Sequence, residues 1–299
     1  MKLSNRIAEL THALDRVSTI FQGFQPQNQV EIETLLIENI AFRWQRGQGV
    51  FSQGHLIAIS SPQLITFEEL SGIDRQIEKL YQNTNQFLKG YPANNVLMTG
   101  ARGTGKSSLV RACLSSFHNE GLKLIEVDKK HLDDLPDIVE IIKGKDEKFL
   151  IFCDDLSFEE GDDGYKGLKT VLDGSVAGPS SNVLIYATSN RRHLVTERMN
   201  DNHDLRKDDK GEIHPGDSIE EKISLSDRFG LQLHFYSSTQ NEYLDIVAKL
   251  LNQYELELNE KIQLLALQWA TQRGSRSGRI AVHFVKDYVG KKLMENSRK

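Results

Sequence analysis

The chain has 299 residues, of which 38% are hydrophobic and 26% charged. That balance supports a buried core and excludes wholesale disorder, a collagen-like repeat and a coiled-coil rod. No apolar run approaches the roughly 20 residues that span a bilayer, and a net charge of −5 supplies no global attraction for nucleic acid or anionic lipid.

The N-terminal sequence MKLSNRIAELTHALDR is charged and amphipathic, without the apolar stretch of a secretory signal. A soluble, cytoplasmic protein is therefore expected. Ile7, Leu10, Leu14, Val17 and Phe21 recur at steps of three and four and predict a helix. After a break at Pro26, a second apolar helix is predicted over about Ile32 to Trp44, so residues 1–62 read as an N-terminal helical extension. Thr66 and Glu69 have capping-box spacing and predict a helix running through ELSGIDRQIEKLYQNTNQFL.

Beyond that helix, short apolar runs alternate with helix-compatible stretches. The runs are Val96 to Met98, Leu122 to Val127, Phe149 to Cys153, Val183 to Ala187 and Leu231 to Phe235. Ser107 to Phe117 and Leu132 to Ile142 lie between them. Such alternation predicts an α/β domain over residues 63–235, with a parallel sheet covered on both faces. Residues 236–299 read as all helix, with a second capping box at Thr239 and Glu242, and form a small separate lid. Cys113 and Cys153 sit in apolar sequence, RACL and IFCDD. They make neither a disulfide framework nor a zinc spacing, and are expected to be buried thiols.

The strongest local signal is Gly100-Ala101-Arg102-Gly103-Thr104-Gly105-Lys106-Ser107, which fits G-x-x-x-x-G-K-[ST] between a predicted strand and a predicted helix. Glycines let the backbone turn so that its N–H groups converge on phosphate oxygens, with the helix N-terminus behind them. Lys106 would reach the β and γ phosphates, Ser107 would bind Mg²⁺, and Ser108 is counted with the nucleotide-binding residues. Downstream, FLIFC delivers Asp154 and Asp155 to a strand end, where open α/β sheets place ligand chemistry. Asp154 is the candidate Mg²⁺ residue and Asp155 the candidate to orient or deprotonate water. The next predicted strand runs into Thr188-Ser189-Asn190. Asn190, with Thr188 behind it, is placed to touch both the γ-phosphate and the attacking water.

Two arginines complete the set. Arg228, in LSDRFG, would either project onto a neighbouring subunit's nucleotide or form a structural ion pair. In the last helix, at about 100° per residue, Arg279 points away from the apolar stripe of Ala281, Phe284, Val285 and Tyr288. It is either solvated or leans over the nucleotide, with Arg276 as the fallback for the second role.

Together GARGTGKSS, FLIFCDD, ATSN, SDRFG and the helical tail resemble the AAA+ ATPases. More closely, FCDDLSFEEGDDGYKGLK, YATSNRRHL and SIEEKISLSDRFGL resemble a bacterial group known as the domain of unknown function 815 family. The resemblance implies a sheet of order 5-1-4-3-2, a helical lid, ATP and Mg²⁺. AAA+ proteins usually carry Asp-Glu where this chain has Asp-Asp, so Glu159 or Glu160 would be an alternative base. The segment from Thr196 to Ser224 is charged and reads as a surface loop. Its His203, His214, Asp201 and Asp204 lack a recognised ligand spacing. The reading is an ATP-driven switch or remodeller of a protein partner, a homo-oligomer when ATP is bound, with no membrane and with nucleic acid not supported by the sequence. A non-catalytic, nucleotide-gated binding module is the alternative. A P-loop kinase fits less well, because it would not need the sensor-like strand, the Asp-Arg-Phe box or the helical tail.

Overall fold

The computed structural model describes residues 29–47, 54–157, 165–174, 180–190, 206–207, 213–214 and 225–296. The predicted helix at Ile7 to Phe21, Glu159, Glu160, and His203, Asp201 and Asp204 lie outside them.

The first described element, α1 (Gln29–Glu38), is shorter than predicted. The chain then forms a strand, β1 (Ala41–Gln45), which pairs antiparallel with β2 (His55–Ala58) and parallel with a strand of the central sheet. The expectation of an all-helical segment through Trp44 is therefore corrected. Ala41, Phe42 and Trp44 are buried while Arg43 and Gln45 are exposed, which is strand alternation. Trp44 Nε1 donates to Asp134 Oδ2 at 2.9 Å, inside the protein. Helix α1 stops where Lys123 Nζ donates to the Leu36 and Asn39 carbonyls, the latter at 2.9 Å.

The predicted helix from Glu69 also differs. Only a 3-10 turn, Phe67–Glu69, follows Thr66, whose N–H donates to Glu69 Oε2 at 2.7 Å. Gly72 then adopts φ 74°, which ends any helix, and α2 begins at Asp74 and runs to Leu88.

The remaining elements alternate as expected: β3 (Val96–Gly100), α3 (Lys106–Phe117), β4 (Leu122–Val127), α4 (Leu135–Ile142), β5 (Lys148–Cys153), α5 (Tyr165–Asp173) and β6 (Val183–Ser189). Within the charged segment read as a loop, β7 (Arg206–Lys207) and β8 (Ile213–His214) pair as a short antiparallel ribbon. β9 (Leu231–Phe235) completes the main sheet.

That sheet has the order β2-β1-β4-β5-β6-β3-β9. It differs from the expected five strands by the two added at one edge, β1 and β2. Numbered among themselves, the five strands from β3 onward keep the order 5-1-4-3-2. All neighbours are parallel except β2. Side chains of β5 divide by parity: Phe149, Ile151 and Cys153 join one core with Leu36, Phe42 and Ile138, while Leu150 and Phe152 join the other with Leu80, Leu109 and Phe117. A strand apolar on both faces is what a central parallel position requires. Both cysteines are fully buried, and burial pushes their pKa up to about 12, so they are inert thiols.

The C-terminal helices α6 (Gln240–Asn252), α7 (Glu260–Gln272) and α8 (Gly278–Asn296) have their own core around Tyr243, Val247, Ala266, Phe284 and Val285. The Thr239–Glu242 capping box forms, with Glu242 Oε2 accepting from Thr239 N at 2.7 Å. Lys249 on α6 donates to the carbonyls of Glu68 and Leu70, which seats this bundle on the segment ahead of α2. Among the described residues no helix is long and apolar enough to cross a membrane.

Candidate nucleotide-binding site

β3, β6 and β5 are adjacent and parallel, so the loops leaving their C-terminal ends converge. The loop after β3 carries the phosphate-binding sequence. At Gly100 a Cβ would fall 2.0 Å from the Phe235 carbonyl oxygen on β9, so any larger residue would force the two strands apart. Thr104 is buried and braces the loop through Oγ1 to the Ala101 carbonyl at 2.8 Å. Gly105 is the N-cap of α3, which places Lys106, Ser107 and Ser108 in its first turn. The N–H groups of that turn have no intrahelical partner, the arrangement by which helix N-termini take anions.

Lys106 is buried, and its Nζ donates to the Gly100 carbonyl at 2.6 Å, the Ala101 carbonyl at 2.8 Å and Asn190 Oδ1 at 3.1 Å. Burial holds its pKa below the usual lysine value. The Asp154 and Asp155 carboxylates oppose that shift, while Arg279 and Arg102 add to it. Neutral carbonyls solvate an ammonium less well than an anionic oxygen would, so the group is poised to take phosphate.

The acidic strand end meets this lysine from β5. Ser107 Oγ donates to Asp154 Oδ1 at 2.8 Å, and Thr188 Oγ1 donates to the same oxygen at 2.5 Å. Asp155 has φ 55°. Its Oδ1 accepts from the Asn190 amide, and its Oδ2 lies 3.5 Å from Arg102 Nη2. Hydrogen bonds join Lys106, Asn190 and Asp155 as one group and Ser107 and Asp154 as another, and Thr188 links the two. Thr188, read as standing behind Asn190, is a direct partner of both aspartates.

The lid meets the same loop. A Cβ on Gly103, which has φ 78°, would come within 2.9 Å of Ser277 Oγ and 3.0 Å of Arg279 Cβ. Arg279 therefore starts against the phosphate loop, and its charge acts on Lys106. Arg276, just before the buried Ser277, is exposed. Sequence reasoning missed Ser277, whose Oγ accepts from Ile280 N at 3.4 Å at the start of α8. The GSRSG stretch is a helix-start signal, yet nothing local says which loop that helix start will touch.

Arg228 is not brought to this cluster. Its Nε donates to Asp173 Oδ1, at the end of α5. Leu231 of β9 pairs with Val96, four residues before Gly100, so Arg228 precedes a strand start about 13 Å or more from the phosphate loop along the strand direction.

A five-strand parallel core of this order, with a phosphate loop after one strand, a polar residue on the strand beside it, an acidic pair on the strand beyond and a helical lid against the loop, defines the AAA+ fold. Two solved structures bear on this. The P216G mutant of RuvB from Thermotoga maritima is 16% identical with a TM-score of 0.52, covering 74% of this chain and 64% of that one. The Aeropyrum pernix ORC1 protein in complex with DNA is 14% identical with a TM-score of 0.52, covering 75% and 61%. At that identity the likeness shows the fold alone, and the chain spans a little under two thirds of either protein. No curated protein sequence matches it significantly. The chain belongs to the family described as protein of unknown function (DUF815), which it matches over residues 37–292.

Proposed function

We propose that this protein binds ATP between the sheet edge and the lid, hydrolyses its β–γ bond with Mg²⁺, and passes the resulting lid movement to a protein partner as a homo-oligomer. The observation that carries this reading is the Ser107–Asp154 hydrogen bond of 2.8 Å beside the buried ammonium of Lys106. It pairs a hydroxyl with a carboxylate at the mouth of a phosphate loop, the hard oxygen donors that suit Mg²⁺. No group of three or more His, Cys, Asp or Glu that could hold a metal occurs among the described residues. Water and phosphate oxygens would therefore supply the other ligands. Ser107 and Asp154 would hold Mg²⁺, which would draw charge from the β and γ oxygens.

The loop N–H groups and Lys106 bind the phosphate chain, and Asn190 links the lysine to Asp155. Asp155 orients the attacking water and accepts its proton, while Arg279 reads the phosphates from the lid. The test is multiple-turnover phosphate release. Asp155→Asn is expected to lower kcat by about 10²–10⁴-fold, the usual contribution of a general base, with ATP affinity within about twofold of the parent. Asp154→Ala is expected to remove the Mg²⁺ dependence. Normal turnover by Asp155→Asn, with loss in Glu159→Gln or Glu160→Gln, would move the base downstream.

Arg279→Ala is expected to weaken ATP binding about tenfold, the effect of one charge-assisted contact, and to leave the melting temperature unchanged because the residue is exposed. Titration by calorimetry checks this, and unchanged affinity would transfer the role to Arg276. One observation favours a second reading, nucleotide-gated binding without turnover: both oxygens of Asp155 already face donors, Asn190 and Arg102. Sustained hydrolysis above one phosphate per chain would dismiss it.

A further inference from the structure

Asp155 and Glu255 are the two non-glycine residues with positive φ among those described, at 55° and 57°. L-residues adopt this left-handed region rarely, and aspartate more readily than most. Asp155 is held there from the neighbouring strand by Thr188, which is buried. Its Oγ1 accepts from Asp155 N at 2.9 Å and donates to Asp154 Oδ1 at 2.5 Å, and its backbone carbonyl accepts from Leu156 N at 2.7 Å. One residue therefore engages three consecutive positions of the acidic turn. Only a hydroxyl can give its single proton to one aspartate while accepting from the next N–H.

We propose that Thr188 is a positioning residue that locks the Asp154–Asp155 turn in its left-handed form, and that this turn, rather than side-chain length, delivers the Asp155 carboxylate. The functional half of this inference rests on the ATPase reading, whereas the clamp itself does not. From the left-handed turn the short Asp155 side chain already meets the Asn190 amide, whose oxygen accepts from Lys106 Nζ at 3.1 Å. The methylene that a glutamate would add is not needed, and would carry the carboxylate past that position.

Two measurements on the full chain test this. In thermal unfolding, Thr188→Val is expected to lower Tm by about 2–6 °C. Asp155→Gly is expected to leave Tm unchanged or raise it, because glycine adopts positive φ without strain. In the double variant, the loss from Thr188→Val should shrink by at least a third, since the backbone no longer needs the clamp. Strict additivity would overturn the clamp whatever the chemistry. In ATP hydrolysis, Thr188→Val is expected to lower kcat about 10–100-fold, as misplacement of a reacting group does, with ATP affinity within about twofold. Thr188→Ser should keep most of the activity, and Asp155→Glu should be slower than the parent. Equal activity of Thr188→Val and Thr188→Ser, or an Asp155→Glu variant faster than the parent, would overturn the positioning role. An unmodified chain that hydrolyses no ATP would instead sink the ATPase reading, and the unfolding cycle would then decide the clamp alone.

Discussion

Replacing Lys106 with alanine is expected to abolish tight ATP binding. The ammonium is buried among the Gly100 and Ala101 carbonyls and Asn190 Oδ1, and a phosphate chain in the loop would exchange some of these neutral acceptors for anionic ones. Two charge-assisted hydrogen bonds, at about 1.5–3 kcal/mol each, correspond to a loss of about 10²-fold or more in affinity. The same geometry gives a proton signature. Burial lowers the proton affinity of Lys106 in the free protein, and a bound polyanion raises it again. ATP binding should therefore take up protons at alkaline pH, and affinity should fall as pH rises through the lowered lysine pKa. Calorimetry in buffers of different ionisation enthalpy measures that uptake. Unchanged affinity in Lys106→Ala would remove the nucleotide site, and absence of pH-dependent uptake would place Lys106 outside the phosphate contacts.

Arg228→Ala is expected to cut ATP turnover per chain by about 10³–10⁵-fold if Arg228 acts on a neighbour's γ-phosphate, the range for arginine fingers. Within one chain its Nε donates to Asp173, and the strand that follows it starts about 13 Å from the phosphate loop along the strand direction. To act on a neighbour it must leave Asp173. That pair, whose carboxylate is exposed, contributes about 1 kcal/mol or less, which is small beside the gain at a phosphoryl group. Three observations separate this role from a structural one. Activity per chain should rise with protein concentration. A mixture of Arg228→Ala and Lys106→Ala, each inactive alone, should recover some turnover, because one subunit binds ATP and the other supplies the arginine. Asp173→Ala, which removes the Asp173 ion pair from Arg228, should leave turnover intact or raise it. If Arg228 is only a structural tie, Asp173→Ala and Arg228→Ala will lower Tm alike, turnover will not depend on concentration, and mixing will rescue nothing.

Much of the nucleotide site was legible because its signals are local. The phosphate loop needs glycines, a lysine and a hydroxyl at set spacing within eight residues, and β5 announces itself as an apolar run ending in two aspartates. Strands buried on both faces and helices with one apolar stripe read correctly for the same reason: burial imposes a period on the chain. Leu122–Val127 and Leu231–Phe235 fall where that period puts them.

Tertiary pairing decided the rest. Residues 41–45 are short enough for their apolar positions to fit a helix or a strand. Pairing with β2 and with β4, some 80 residues away, selects the strand. The Thr66–Glu69 signal is real but stops after one turn, because Leu70 is already extended, and Gly72 then adopts a left-handed conformation beside Glu242 of the lid. Asp173 carries no sequence mark as the partner of Arg228, and Ser277 none as a neighbour of Gly103. Both contacts join segments remote in the chain, whose meeting depends on how whole elements pack. The left-handed turn at Asp155 belongs to the same class. The residue types of the site are written in the sequence, but the hydroxyl that sets the angle of the carboxylate comes from an adjacent strand, and only the register of β5 against β6 brings it there.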